Sequence, residues 1–251
     1  MASKAQKKFL IGTSGWSYYH WKEIFYPPEL PSTRWFDYYS KVFSTVEINA
    51  TFYRNFKDKT FEKWRDQARK KFKYVLKAPK TITHIHYLKD VNDEIKEFWR
   101  KASILEDWLG LILLQLAPKT SYEPALLKDA ILAFGDPSKV AVEFRNKQWL
   151  TDEIKKLLSE INAVFCNADS PKSELVDWVT STEAAYIRLH GRKRWYSHDY
   201  SDAELENIAG LAKKFAQKTK KVYVFFNNDV GGYAVKNALR LAELLGLKTT
   251  R

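Results

Sequence analysis

Eight short apolar runs, separated by longer amphipathic segments, constrain the fold of this 251-residue chain more than any other feature. Each run is rich in Val, Ile, Leu, Phe or Tyr and is bounded by polar or turn-forming residues, as in the buried strands of parallel sheets. The runs cover residues 9–13, 45–49, 74–78, 111–116, 140–144, 163–168, 185–189 and 222–226. Eight strands that alternate with helices predict an α/β chain with the (β/α)8 fold of a TIM-like barrel.

The segments between the runs carry helical patterns and residues that favour helix starts. "SYEPALL" opens on Ser121 and "TDEIKKLL" opens on Thr151, and both residue types are common N-caps. Ser201 and Glu204 have the spacing of a capping box. The connection after the sixth run is less regular, and it predicts only a short helix near Asp177.

A doubly wound open sheet is the alternative fold. It would usually carry a phosphate-binding glycine motif after its first strand, where this chain has "GTSGWSYYHW". We therefore expect one TIM-like barrel domain over residues 9–251, preceded by a flexible basic tail at residues 1–8. The single cysteine, Cys166, excludes an internal disulfide and indicates a reducing compartment. Because no stretch reads as a signal peptide or a membrane span, we expect a monomeric cytoplasmic protein that does not bind membranes.

The charge of the chain indicates the kind of partner to expect. A formal net charge of +12 favours anionic partners, namely a phosphorylated small molecule or a nucleic acid. A solvated basic surface is the alternative interpretation.

Polar residues follow the apolar part of the predicted strands, often in pairs two residues apart. Residues at this spacing share one face of a strand, and the carboxyl ends of the strands hold the active sites of TIM barrels. The set comprises Glu47, Asn49, Lys77, Gln115, Glu143, Arg145, Asn167, Asp169, Arg188, His190, Asn227 and Asp229. We predict that they form a functional ring inside the barrel. The alternative is internal ion pairs, such as Glu143 with Arg145 or Glu47 with Arg188, although buried pairs stabilise a fold poorly.

Seven segments carry a resemblance to a known family. In order, they are "IGTSGWSYYHWKEIFYP", "VEINATFYR", "KAPKTITH", "LLQLAP", "VEFRNKQW", "YIRLHGR" and "FFNND". This set resembles the motifs of the YecE-like family, catalogued as domain of unknown function 72, over nearly the whole chain. The resemblance implies a TIM-like barrel similar to those of endonuclease IV and xylose isomerase-like enzymes, and it implies no activity, because fold does not fix function.

The ring contains groups suited to binding an anion and to moving a proton. Lys77, Arg145 and Arg188 match phosphate or carboxylate. Glu47, Glu143 and His190 are the candidates for acid–base catalysis. Our hypothesis is that Arg188 holds an anionic group while His190 exchanges a proton beside it.

Aromatic residues follow several strands and could line a pocket for a base or a sugar. Trp16, Tyr53 and Trp195 are the candidates for such contacts.

A divalent metal is a further possibility. Carboxylates with one histidine suit Mg²⁺ or Mn²⁺, and the candidate ligands are Glu143, Asp169, His190 and Asp229. His84 and His86 follow the third strand and could also reach the strand ends.

Three functions remain open. The first is an enzyme that acts on a phosphorylated or nucleic-acid ligand, of phosphodiester hydrolase or lyase type. The second is an isomerase or hydrolase of a sugar or another small molecule. The third is a nucleic-acid-binding protein without catalysis, which predicts a steep dependence of binding on salt.

Overall fold

The computed structural model describes residues 8–247, and its strands overlap all eight predicted runs. In chain order they are β1 (Phe9–Thr13), β2 (Thr45–Ile48), β3 (Lys73–Lys77), β4 (Leu109–Gln115), β5 (Val140–Glu143), β6 (Val164–Asp169), β7 (Ala184–Leu189) and β8 (Lys221–Phe226). The predicted tail at residues 1–8 lies almost wholly outside the described residues and stays a prediction.

Eight α-helices connect and follow the strands within the described residues. They are α1 (Trp35–Val42), α2 (Ala50–Tyr53), α3 (Asp58–Gln67), α4 (Asn92–Ser103), α5 (Pro124–Ala133), α6 (Asp152–Glu160), α7 (Asp202–Lys218) and α8 (Tyr233–Leu244). No helix in residues 8–247 combines the length and hydrophobicity that crossing a membrane requires. The monomeric state and the cytoplasmic location stay predictions.

The strands form one eight-stranded sheet in the order β1-β8-β7-β6-β5-β4-β3-β2. The pairs β1–β8, β3–β4, β4–β5 and β5–β6 are parallel. In this order the strands from β2 to β8 follow one another as in the sequence, and β1 lies beside β8, as in a (β/α)8 fold. The predicted α/β, TIM-like fold class is confirmed.

Two helix starts follow the predicted signals, and one does not. The Thr151 hydroxyl accepts the Ile154 N–H at the start of α6, and Ser201 and Glu204 form the predicted capping box of α7. The predicted start at Ser121 is wrong, because α5 begins at Pro124, whose fixed φ favours the first helical position.

The predicted short helix near Asp177 is also wrong. No helix forms in the described chain between β6 and β7. The connection instead begins with a turn in which Ser170 and Ser173 exchange backbone hydrogen bonds of 2.9 and 3.1 Å, and residues 174–180 after it form no regular structure.

The chain divides into two compact units by its internal packing. Unit 1 contains Met1–Glu47, Asn167–Asp177 and Ala185–Arg251, and unit 2 contains Ile48–Cys166 and Trp178–Ala184. In unit 1, the buried Tyr39 of α1 donates from its hydroxyl to the Thr45 carbonyl and accepts the Thr13 N–H. This side chain fixes the helix against the ends of β1 and β2.

In unit 2, the core is built on the aligned strands β3, β4 and β5. Leu76 pairs in register with Ile112, and Ile112 pairs with Val140, and all three side chains are fully buried. This registration brings the carboxyl ends of the three strands to one edge, where their last residues are polar.

Candidate functional site

Glu47 and Arg188 form a buried ion pair in unit 1. Glu47 is fully buried in β2, and Arg188 in β7 is 2% exposed. Nη2 of Arg188 lies 2.7 Å from Oε1 of Glu47, and Nε lies 2.9 Å from Oε2. Ser14 donates to Oε1 at 2.6 Å, and the Tyr186 hydroxyl donates to Oε2. The internal pairing that the sequence left open is therefore present.

The surroundings of Glu47 suit it to hold Arg188. Burial acts to raise the pKa of Glu47, but the charge of Arg188 and the hydrogen bonds from Arg188, Ser14 and Tyr186 outweigh burial and lower the pKa below its usual value. Both carboxylate oxygens accept hydrogen bonds from protein groups. This geometry favours a positioning role, and the acid–base role of Glu47 stays a prediction.

Arg188 also fixes the tautomer of His190. Nη1 of Arg188 lies 3.0 Å from Nε2 of His190. A guanidinium carries only donors, so Nε2 accepts and the proton of the neutral ring lies on Nδ1. Nδ1 lies 3.0 Å from Nδ2 of Asn227, and a proton on Nδ1 requires this amide to be flipped so that its oxygen accepts the proton. The predicted shared face of Arg188 and His190 is thus real, and their contact orients the imidazole.

The turn after β7 places two aromatic rings against His190. The Trp195 ring lies edge-on at 5.5 Å and the Tyr196 ring at 6.1 Å between centroids. Tyr196 N–H donates to the His190 carbonyl at 2.7 Å, which closes the turn. Trp195 is half-buried, Tyr196 is exposed and His190 is fully buried. The two rings therefore shield the imidazole from water.

Asp169 ends β6 and is held by two side chains. The Tyr200 hydroxyl donates to Oδ2 at 2.8 Å, and Nε of Arg192 lies 3.3 Å from Oδ1. Burial raises the pKa of Asp169, although Tyr200 and Arg192 act to lower it. Asn167 is buried on the same strand. Arg192 is partly exposed, so this side chain can offer its charge to a ligand.

Asp229 follows β8 and binds the loop after β1. The Trp21 indole N–H donates to Oδ1 at 2.6 Å, and Nε2 of His20 lies 3.2 Å from Oδ2. Burial raises the pKa of Asp229, while His20 and Trp21 act to lower it. Trp16 of the same loop is half-buried and packs edge-on against Phe36 at 5.3 Å.

In unit 2, three neighbouring strands each end in a buried polar residue. Lys77, Gln115 and Glu143 are the last residues of β3, β4 and β5 and are 7%, 6% and 0% exposed. Gln115 and Glu143 are paired in register, so their side chains share one face of the sheet. The Gln115 Nε2 group is buried and has no hydrogen-bond acceptor within residues 8–247.

Arg145 and His84 complete this group, which we call the strand-end cluster (Lys77, His84, Gln115, Glu143 and Arg145). Nε of Arg145 lies 2.7 Å from Oε1 of Glu143. His84 lies in a short π-helix, Thr81–Ile85, a distortion that is frequent at functional sites. Burial lowers the pKa of His84, and the charges of Lys77 and Arg145 lower it further, against the opposing effect of Glu143.

The remaining predicted residues of unit 2 flank α2. Asn49 is half-buried directly before this helix, and Tyr53 ends it with 65% of its surface exposed. Phe52 lies between them in the sequence, and its ring contacts both Lys77 and His84. Nζ of Lys77 is 3.9 Å from the ring centroid, and the His84 ring is edge-on at 4.9 Å.

No three His, Cys, Asp or Glu side chains in the described part of the chain are grouped so that they could hold a metal ion. Of the four candidate ligands, Asp169, His190 and Asp229 each bind the protein side chains described above, and Glu143 binds Arg145. A metal site therefore has no geometric support here.

The sequence reasoning missed several side chains that hold the predicted ones. Tyr186 lies two residues before Arg188, so the strand period could have identified it. Tyr200 and Ser14 have no comparable local signal, because their partners come from distant segments. His84 was predicted only to come within reach of the strand ends, since the sequence does not predict the π-helix that places it there.

Comparison with known proteins relates the chain to one protein family. A family model described as "Protein of unknown function DUF72" matches residues 10–251. The UPF0759 protein YunF from Bacillus subtilis (strain 168) is 27% identical over 272 residues, which cover 95% of each chain. The UPF0759 protein YecE from Escherichia coli (strain K12) is 30% identical over 106 residues, which cover 42% of this chain and 36% of YecE.

Solved structures agree with this relationship. The crystal structure of a DUF72 family protein (TM1631) from Thermotoga maritima MSB8 has a TM-score of 0.85 and 28% identity, with 95% of this chain and 99% of that chain covered. A DUF72 family protein (EF0366) from Enterococcus faecalis V583 has a TM-score of 0.83 at 20% identity, covers 96% of this chain and 97% of that chain, and shares the fold. The motif-based resemblance is confirmed.

Proposed function

Because the chain belongs to the DUF72 family of proteins of unknown function, we propose a function from its own residues: an enzyme that acts on a phosphate-bearing ligand. The reaction class that suits these residues is phosphodiester hydrolysis or elimination. The strand-end cluster is the proposed site of phosphate binding. The net charge of +12 supports an anionic ligand, because it attracts such a ligand over long range.

The excess of donors over acceptors in the strand-end cluster carries the proposal. Lys77 and Arg145 bring two positive charges to the single negative charge of Glu143. The unsatisfied Gln115 N–H group adds a neutral donor on the same face as Glu143. A buried donor without an acceptor costs about 1–3 kcal/mol, and a bound phosphate oxygen would remove that cost. The planar fork of Arg145 suits the same ligand.

His84 is the proposed proton acceptor of the strand-end cluster. Its lowered pKa leaves the ring neutral at pH 7, so it can take a proton from an attacking water or hydroxyl group. In the hydrolytic reaction, the water oxygen bonds to phosphorus while a phosphorus–oxygen ester bond breaks. Glu143 holds Arg145 in place through the 2.7 Å contact and is the second acid–base candidate.

Unit 1 offers its own candidates for the same chemistry. His190 is oriented by the Glu47–Arg188 pair with a defined tautomer. Arg192 is the partly exposed cation beside Asp169, and we propose that it contacts the anionic ligand in place of the buried Arg188.

We expect Arg145→Met to weaken the binding of inorganic pyrophosphate about 10- to 100-fold, since a hydrogen bond to a charged group contributes about 1.5–3 kcal/mol. Gln115→Met should weaken it less, because the lost donor is neutral. Isothermal titration calorimetry at constant ionic strength measures both effects.

The matched control is Arg34→Met, which removes one positive charge from an exposed position of unit 1. It should leave pyrophosphate affinity unchanged at constant ionic strength. Equal weakening by Arg34→Met and Arg145→Met would mean that pyrophosphate senses only the overall charge, and the proposed site would be wrong.

We expect His84→Gln to abolish turnover of bis(p-nitrophenyl) phosphate while pyrophosphate still binds. Glutamine keeps the polarity of the side chain but cannot accept the proton at neutral pH. Release of p-nitrophenolate, followed by absorbance, measures the rate. His86→Gln is the control, because His86 is an exposed histidine two residues away. Unchanged turnover in His84→Gln would remove His84 from the proposed mechanism.

A further inference from the structure

A cavity of unit 2 lies between α2 and α4 and is not part of the strand-end cluster. Its volume is about 220 Å³. Phe52, Tyr53 and Phe98 supply aromatic walls, and Arg54 and Lys80 supply positive charge. This combination of flat apolar surface and cations is what a ring with an attached anion requires.

The aromatic walls differ in their exposure to solvent. Phe52 and Phe98 are buried and are fixed by the core of unit 2. Tyr53 is 65% exposed and packs edge-on against Phe52, with 4.9 Å between ring centroids. A flat ring that enters the cavity therefore meets two buried rings and one solvent-facing ring.

The carboxylates of the cavity already have partners. Glu97 accepts hydrogen bonds from Arg100 and lies 3.5 Å from Lys101, and Glu94 accepts one from Thr81. Arg100 and Lys101 therefore offset the negative charge of Glu97, whereas Glu94 keeps its charge and is bonded by a neutral hydroxyl.

Two cations of the cavity lining differ from these carboxylates, because they have no partner of opposite charge in the described part of the chain. Arg54 and Lys80 are exposed, and neither has an ionic partner within residues 8–247. Two cations without a carboxylate partner among these residues outnumber the single charge of Glu94, so the lining keeps a positive excess that attracts an anion.

We propose that this cavity binds one nucleotide unit, with its base among the aromatic rings and its phosphate at Arg54 and Lys80. The volume is smaller than the roughly 300–1,000 Å³ of pockets for drug-sized ligands, so it suits a single ring system. The nucleotide unit can be free or part of a single strand. The inference does not depend on phosphate binding at the strand-end cluster.

The test compares dAMP, deoxyadenosine and 2-deoxyribose 5-phosphate by isothermal titration calorimetry. Tyr53→Ala should weaken dAMP binding about tenfold, because stacking on an aromatic side chain is lost, and should leave 2-deoxyribose 5-phosphate unaffected. Arg54→Ala with Lys80→Ala should weaken both phosphate compounds and spare deoxyadenosine.

Tyr19→Ala is the matched control, because Tyr19 is 77% exposed and lies in unit 1. It should change no affinity. Equal dAMP affinity of the wild type and Tyr53→Ala, or dAMP binding no tighter than that of 2-deoxyribose 5-phosphate, would overturn the inference. The proposed function fails separately, if Arg145→Met binds pyrophosphate like the wild type.

Hexadeoxyadenylate distinguishes the two sources of the nucleotide unit. Tighter binding of the oligonucleotide than of dAMP, with the same loss in Tyr53→Ala, supports a unit within a single strand. Equal affinities, with the same loss in Tyr53→Ala, support a free nucleotide.

Discussion

Replacing Arg188 with alanine should lower the free energy of unfolding by about 3–5 kcal/mol, because the substitution leaves a buried carboxylate without its counter-charge. Glu47 has no exposed surface, so water cannot replace the lost guanidinium. Ser14 and Tyr186 would still donate to the carboxylate, but they carry no positive charge. Chemical denaturation with urea at pH 7 measures the loss.

The pH dependence of stability gives this prediction a second signature. In the wild type the pKa of Glu47 is lowered on folding, so its stabilising contribution is present above the pKa of the unfolded carboxyl group and disappears as pH falls through the folded-state pKa. In Arg188→Ala burial dominates and raises the pKa, so protonation of Glu47 restores stability as pH falls. The difference between the two proteins should therefore be largest near neutral pH and should shrink in acid.

Arg240→Ala is the control for the loss of an arginine–carboxylate pair. Arg240 binds Asp202 through both carboxylate oxygens, at 2.9 and 3.0 Å, on the surface of unit 1. Solvent screens that pair, so the loss of unfolding free energy should be much smaller than in Arg188→Ala. The role given to the buried pair would be contradicted if both variants lost a similar amount of unfolding free energy. It would also be contradicted if the stability difference between the wild type and Arg188→Ala did not shrink in acid.

The sequence predicted the strands well because buried parallel strands are short apolar runs, and tertiary contacts only moved their ends. It also identified Lys77, Gln115 and Glu143, since a polar residue that ends an apolar run is a local signal. The sequence did not predict which charged residues pair with one another. Glu47 and Arg188 are separated by 141 residues, and the pattern of either strand is compatible with several counter-charges.

Local sequence patterns also did not predict the backbone conformation of the loops. Ser121 is a good N-cap residue, yet Pro124 determines where α5 begins. The segment around Asp177 stays irregular after the Ser170–Ser173 turn, and composition alone does not separate such a segment from a short helix. His84 becomes a site residue only through the π-helix, which has no simple sequence signature.

Gly191→Ala should lower the free energy of unfolding by about 3 kcal/mol or more and should disturb the site around His190. Gly191 has a φ of +104°, where side-chain-bearing residues are rarely found. An added Cβ would lie 2.3 Å from the Arg194 carbonyl oxygen, which belongs to the backbone of the same turn. The turn must therefore open, and Trp195, which follows Arg194, would lose its position against the His190 ring.

Gly210→Ala separates this local effect from a general effect of added methyl groups. Gly210 lies inside α7, and a Cβ there meets no atom within 4 Å, so alanine should stabilise the chain by about 0.5–1 kcal/mol. Urea denaturation should thus show a lower free energy of unfolding for Gly191→Ala and a higher one for Gly210→Ala than for the wild type. In Gly191→Ala, NMR should also show faster exchange with water of the His190 Nδ1 proton. Wild-type stability and an unchanged Nδ1 proton signal in Gly191→Ala would mean that the turn does not hold Trp195 over the imidazole, and that the shielding of His190 has another origin.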